Sequence, residues 1–169
     1  TRQKASSNRG YVPEDMGEKL AAIARPDTGS VPASIECGQS HCCVLLLDGT
    51  VRCFMPNQKG IPKLGQMGPV IYGNDGVMIG SVLDLGVGRT ATQITVGDLH
   101  SCALLDNKTI KCWGRNHQGQ LGVGTNMFVG REEASMGDNM LSPLLPTGLT
   151  PLAVYAGYEG TCALMDDHK

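Results

Sequence analysis

The chain has 169 residues, 41% of them hydrophobic, with 14 Lys and Arg against 16 Asp and Glu. That length and apolar content suit one domain with a real core and exclude a disordered tail. The near-neutral charge leaves no global positive field to grip nucleic acid, and the longest apolar run, Cys42 to Leu47, falls far short of the ~20 residues that cross a bilayer, so neither nucleic acid nor a transmembrane segment is expected.

Gly, at 23 residues, is about twice its usual share of ~7%, while aromatics are only 4%. Such a chain spends its length on turns and short strands, and the expected class is all-β. It opens Thr1-Arg2-Gln3-Lys4, without Met or an apolar leader. Between Glu14 and Arg25, Leu20, Ala21, Ile23 and Ala24 fall near one face, so a short helix is expected there, ended by Pro26. Residues 1–25 read as the tail of a preceding repeat, because Met16-Gly17-Glu18 has a counterpart in Met136-Gly137-Asp138 ahead of a later one.

From residue 26 the chain repeats itself. His41 to Phe54 aligns without a gap on His100 to Trp113, and a third copy begins at Gly160-Thr161-Cys162. Cys43, Cys102 and Cys162 stand 59 and 60 residues apart. Upstream, Ile35-Glu36-Cys37-Gly38 matches Ile94-Thr95-Val96-Gly97 and Val154-Tyr155-Ala156-Gly157. The expected division is residues 26–84, repeat one; 85–144, repeat two; and 145–169, the front of a further repeat. With copies cut at both ends, the sequence is expected to be a fragment of a longer protein.

Each aligned block reads as two strands around a turn. Val44-Leu45-Leu46-Leu47 is apolar without alternation, so a strand buried on both faces is expected. Asp48-Gly49 supplies the turn, with Gly49 free to take a positive φ; Asn107-Lys108 fills those positions next, where Asn tolerates left-handed geometry better than Lys. Thr50-Val51 and Thr109-Ile110 suit the returning strand. Long connections follow, at Met67–Val82 and Thr125–Leu141.

Cys43/Cys53 and Cys102/Cys112 are symmetric about their turns, centred on Asp48 and Asn107. Directly opposed residues of an antiparallel pair come within reach of a disulfide, so two structural staples in an oxidising compartment are expected. The alternative is small buried thiols in a reducing cytosol. His41 and His100 precede Cys43 and Cys102 by two residues, but no Cys-x-x-Cys or His-x₃-His knuckle occurs and Gly160 replaces the third His, so no metal is expected. Cys162 has no partner in this register. Cys37 aligns with Val96 and Ala156 and reads as a core residue; a Cys37–Cys42 bridge is open but not predicted.

The second repeat carries His100-Ser101-Cys102-Ala103-Leu104-Leu105, then Ile110-Lys111-Cys112-Trp113-Gly114-Arg115-Asn116, then Gly119-Gln120-Leu121-Gly122-Val123-Gly124. With Val96-Gly97 ahead, it closely resembles the regulator of chromosome condensation repeat. The first copy resembles it less, since Phe54-Met55-Pro56-Asn57 replaces Trp-Gly-x-Asn. The resemblance implies a β-propeller with four antiparallel strands per blade and about 420 residues in a closed ring of about seven blades, so this chain would be a partial, incomplete ring. It is most similar to the Cys-bearing, long-looped branch of secreted and surface proteins. The founding member, a nuclear exchange factor for the small GTPase Ran, is not of that type.

Under this resemblance Trp113 packs between blades. His41 and His100 are hydrogen-bonded parts of the blade motif. Gly114, Gly119 and Gly122 serve turns and close approach, and Asn116 and Gln120 complete the motif. No phosphate loop is implied, since no Lys-Ser/Thr follows and no helix begins. Glu132-Glu133 and Asp166-Asp167 read as solvated loop charges. No catalytic grouping, cofactor or metal is expected. The leading function is a non-enzymatic protein-interaction or structural scaffold, binding protein partners through propeller-face loops as a subunit or part of a larger extracytoplasmic assembly. Met67, Met78, Met127, Met136 and Met140 could pack into a partner or fill gaps between blades. The alternatives are nucleotide exchange on a small GTPase, which free thiols would favour, and a secreted enzyme-inhibitor propeller.

Overall fold

Short runs of β-branched and aliphatic residues broken by Gly, Asp and Asn can pair only with their sequence neighbours, and the chain folds accordingly as a series of hairpins. The structure, a computed structural model, describes residues 30–55, 71–72, 78–130 and 133–167. The helix expected at 14–25, the first-repeat residues 56–70 and Glu132 lie outside them.

In chain order the strands are β1 (Pro32–Cys37), β2 (Cys42–Leu46), β3 (Val51–Met55), β4 (Ile71–Tyr72), β5 (Met78–Val82), β6 (Ala91–Val96), β7 (His100–Leu105), β8 (Ile110–Gly114), β9 (Pro151–Ala156) and β10 (Thr161–Met165). They form three antiparallel sheets. The first has the order β1-β2-β3-β5-β4, the second β6-β7-β8, and the third β10-β9. A lone bridge from Gly114 to Val129 starts a fourth line of chain on the second sheet. Part of the connection expected at Met67–Val82 is therefore strand, because β5 pairs with the outer edge of β3.

The sheets pack side by side through their inner strands. β7 is buried along its whole length, and its side chains divide by parity. Ala103 and Leu105 join Cys43, Val51, Leu85 and Trp113 in the core shared with the first sheet. Cys102 and Leu104 join Ile110, Leu121 and Val154 in the core shared with the third. Met136 and Met140 fill the first of these cores, and Met127 is exposed.

Both hairpin turns have the same backbone. Gly49 N–H donates to the Leu46 carbonyl at 2.9 Å, and Lys108 N–H donates to the Leu105 carbonyl at 3.0 Å. This is a three-residue loop ending in a left-handed residue, so the position with positive φ is Gly49 (79°) and Lys108 (65°), not Asn107. The strand expected over Val44–Leu47 also stops earlier: Leu47 enters the loop and is 71% exposed.

Candidate functional site

The residues singled out by the sequence gather at the end of the sheets opposite the hairpin turns, where consecutive sheets meet. The same small turn recurs there three times. Gly38 N–H donates to the His41 carbonyl at 2.9 Å, Gly97 to His100 at 2.9 Å, and Gly157 to Gly160 at 2.8 Å. The three glycines nest. A Cβ on Gly38 would stand 1.8 Å from the Gly97 carbonyl oxygen, and one on Gly97 would stand 2.5 Å from the Gly157 carbonyl oxygen and 2.3 Å from the His100 ring. Only a residue without a side chain lets neighbouring sheets approach so closely.

Each histidine reaches across a seam to the next sheet. His41 Nε2 shares a 2.6 Å hydrogen bond with Ser101 Oγ, and His100 Nε2 lies 2.9 Å from Thr161 Oγ1. Thr161 gives its single hydroxyl proton to the Gln120 carbonyl at 2.8 Å, so His100 Nε2–H is the donor at that bond and the ring is held as the Nε2 tautomer. The result is a stitch from the second sheet to the third and back. Burial first and the nearby His100 second hold His41 well below its ordinary 6.5, at about 4, against the opposing effect of Asp98. Burial also lowers His100, again against Asp98.

Around the stitch, Asn116 is fully buried; its Nδ2 donates to the Thr125 carbonyl at 2.7 Å, and its Oδ1 accepts from Leu121 N–H at 3.0 Å. Gln120 Oε1 accepts from Gln118 N–H at 2.9 Å. Gly114, Gly119 and Gly122 have φ of 104°, 77° and 67° and turn the chain through this loop. Trp113 is buried in the core between the first two sheets. Arg115 pairs with Glu159 at 3.8 Å across the second seam. Beside it a cleft of about 330 Å³ opens between Gln118–Gly122, Pro143–Leu145 and Glu159–Thr161.

Cys43–Cys53 and Cys102–Cys112 are disulfides between directly opposed residues of β2/β3 and β7/β8. A third disulfide joins Cys37 to Cys42. The reading of Cys37 as a core residue is thus corrected: it is exposed, and β1/β2 register places it opposite Cys42. Its counterparts Val96 and Ala156 face Ser101 and Thr161 instead. Cys162 is free and exposed.

Two residues that the sequence reading passed over tie the second seam. Gln93 Nε2 donates to the Val154 carbonyl at 2.9 Å while its Oε1 accepts from Val154 N–H at 3.0 Å, and Thr95 Oγ1 accepts from Ala156 N–H at 2.9 Å. The signal was present as two polar residues, Gln93 and Thr95, at alternate positions of a strand whose Ala91, Ile94 and Val96 are buried.

Comparison with known proteins bears on this arrangement. The Regulator of chromosome condensation (RCC1) repeat matches residues 33–54 and 91–120. Alsin of Pan troglodytes and alsin of Homo sapiens are each 29% identical over 130 residues, which cover 75% of this chain and 7% of alsin. Among solved structures, human WBSCR16 is similar with a TM-score of 0.54 at 21% identity, over 79% of this chain and 31% of that one. Prp20p of Saccharomyces cerevisiae, described with its binding to Gsp1p and histones, is similar with a TM-score of 0.55 at 16% identity, over 83% of this chain and 32% of that one. The three sheets are therefore blades of an incomplete β-propeller, in a chain that spans a small part of alsin and about a third of these structures.

Proposed function

We propose that this chain, which carries two matches to the regulator of chromosome condensation repeat, is part of a non-enzymatic interaction scaffold in an extracytoplasmic assembly. The observation that carries the reading is the combination of stapled hairpins and stitched seams. Disulfides fix β2 to β3 and β7 to β8, and His41, Gln93, Thr95 and His100 fix one blade to the next. A frame held this way presents its loops in fixed positions, as a binding face requires. The contact surface in this reading is the end carrying Gln118–Gly122 and Tyr158; Tyr158 and Met127, 67% and 71% exposed, offer apolar anchors. The repeat limits at 26–84 and 85–144 belong to the same proposal.

A second reading, nucleotide exchange on a small GTPase, draws on the similarity to Prp20p and calls for free thiols in a reducing compartment. Peptide mapping of the native protein, alkylated and digested without reduction, separates the two. Linked Cys43–Cys53 and Cys102–Cys112 peptides support the extracytoplasmic scaffold. Complete alkylation of these four cysteines overturns it and directs the work to an exchange assay. A photo-cross-linker at Tyr158 of the full-length protein is then expected to capture a partner protein in the native compartment, and one at Leu47, on the turn end, is not.

A further inference from the structure

The structure assigns Asn107 as an acceptor for an N-linked glycan, an inference that rests on the extracytoplasmic reading above. Asn107-Lys108-Thr109 satisfies the acceptor pattern Asn-x-Ser/Thr with no proline in the middle. A pattern this short arises by chance, so the geometry has to decide. Asn107 and Lys108 are exposed at the tip of the β7–β8 loop. Asn107 Oδ1 accepts from Thr109 N–H at 3.1 Å and from Thr109 Oγ1–H at 2.6 Å. The amide oxygen is thereby tied to the hydroxyl that the pattern requires, and Nδ2 has no protein partner among the described residues.

The equivalent turn of the first repeat makes the same two bonds, Thr50 N–H and Oγ1–H donating to Asp48 Oδ1 at 2.9 and 2.7 Å, but it lacks the acceptor amide and packs on its neighbour. Asp48 stands where Asn107 does, and Gly49 is wedged against the second blade: its carbonyl accepts from Ala91 N–H at 2.8 Å, and a Cβ there would meet Thr90 at 2.5 Å. Pro151 occupies the place of Ala91 at the next seam and has no N–H to give, so the Asn107 tip is not drawn onto its neighbour in that way. The Cys102–Cys112 disulfide in the same hairpin fits an oxidising compartment, where such acceptors are used.

The co-reactant is an oligosaccharide carried on a polyprenyl diphosphate. A bond forms between Asn107 Nδ2 and C1 of the first sugar, and the bond from C1 to the diphosphate oxygen breaks. The diphosphate leaves with the electron pair and takes up the proton that Nδ2 gives up. The glycan would project from the turn end, opposite His100 on the same strand, and would leave the stitched end open to a protein partner.

The test uses the native full-length protein, alkylated, digested without reduction, and treated with a glycan-removing amidase in heavy-oxygen water. The expected result is labelled aspartate at position 107 in most copies of the hairpin peptide, with Cys102–Cys112 linked. A linked peptide carrying unmodified Asn107 overturns the glycan and leaves the extracytoplasmic reading standing; free thiols with unmodified Asn107 overturn both. In cells of the native host, Asn107→Gln and Thr109→Ala are expected to abolish the glycan-dependent electrophoretic shift, and Thr109→Ser to keep it. A shift that survives Asn107→Gln puts the sugar elsewhere and overturns the assignment.

Discussion

Lys108 holds a φ of 65°, a conformation that costs a residue with a side chain about 1 kcal/mol. Lys108→Gly is expected to raise stability by about 0.5 kcal/mol, read as a higher urea midpoint with an unchanged slope, because relief of strain exceeds the entropy that Gly adds to the unfolded chain. Gly49→Ala is expected to do the opposite and lose about 2 kcal/mol or more, since its Cβ would collide with Thr90 as well as strain the backbone. His41 sets the pH response at the same scale. Its ring is depressed to about 4 when folded, so between that value and 6.5 the unfolded chain binds the proton and the folded chain does not. Stability from this group is fully present above 6.5 and is lost as pH falls toward 4, by on the order of 3 kcal/mol. Denaturant midpoints across that window should fall in the native protein and fall less in His41→Gln; a flat profile would remove the buried neutral histidine from the account.

At the scale of elements, the hairpins and the seams are held by different means. Opening Cys102–Cys112 as a double Ser variant releases a short loop and is expected to cost about 3 kcal/mol, whereas the tighter Cys37–Cys42 loop is worth about 2 kcal/mol. Calorimetric or urea unfolding of the two double variants ranks them. The seam between β6 and β9 depends instead on side chains that satisfy a strand's backbone. Gln93→Ala strands both polar groups of Val154, a residue with no exposure, and is expected to cost about 1–3 kcal/mol. Hydrogen exchange should quicken at Val154 while the β2–β3 hairpin stays protected.

For the whole molecule, β7 is the partition between two cores, and substitutions on its alternate faces should act on different neighbours. Leu105→Ala and Leu104→Ala, both at buried positions, are each expected to cost about 2–5 kcal/mol. Faster amide exchange is expected at β2 and β3 for the first and at β9 for the second. Equal loosening of both seams by either substitution would show a single shared core. The division matters for binding, because a scaffold of stacked blades transmits strain only from neighbour to neighbour.

The local architecture is legible in the amino-acid sequence alone. A repeat of about 60 residues, Gly and Asp or Asn at the turns, and apolar strands between them leave few alternatives to consecutive antiparallel hairpins. Counting from the turns places Cys43 opposite Cys53 and Cys102 opposite Cys112, because antiparallel pairing is symmetric about its loop. The positive φ expected at Gly49 is found there and at its counterpart Lys108, although Asn107 tolerates that geometry better, because the loop and its strands set the position rather than the residue alone. Cys37 opposite Cys42, His41 against Ser101, and Gln93 against Val154 were decided by the tertiary structure. Two of these three contacts span about 60 residues, and all depend on how β1, β2, β6, β7 and β9 are set against their neighbours, which side-chain periodicity within one strand does not encode.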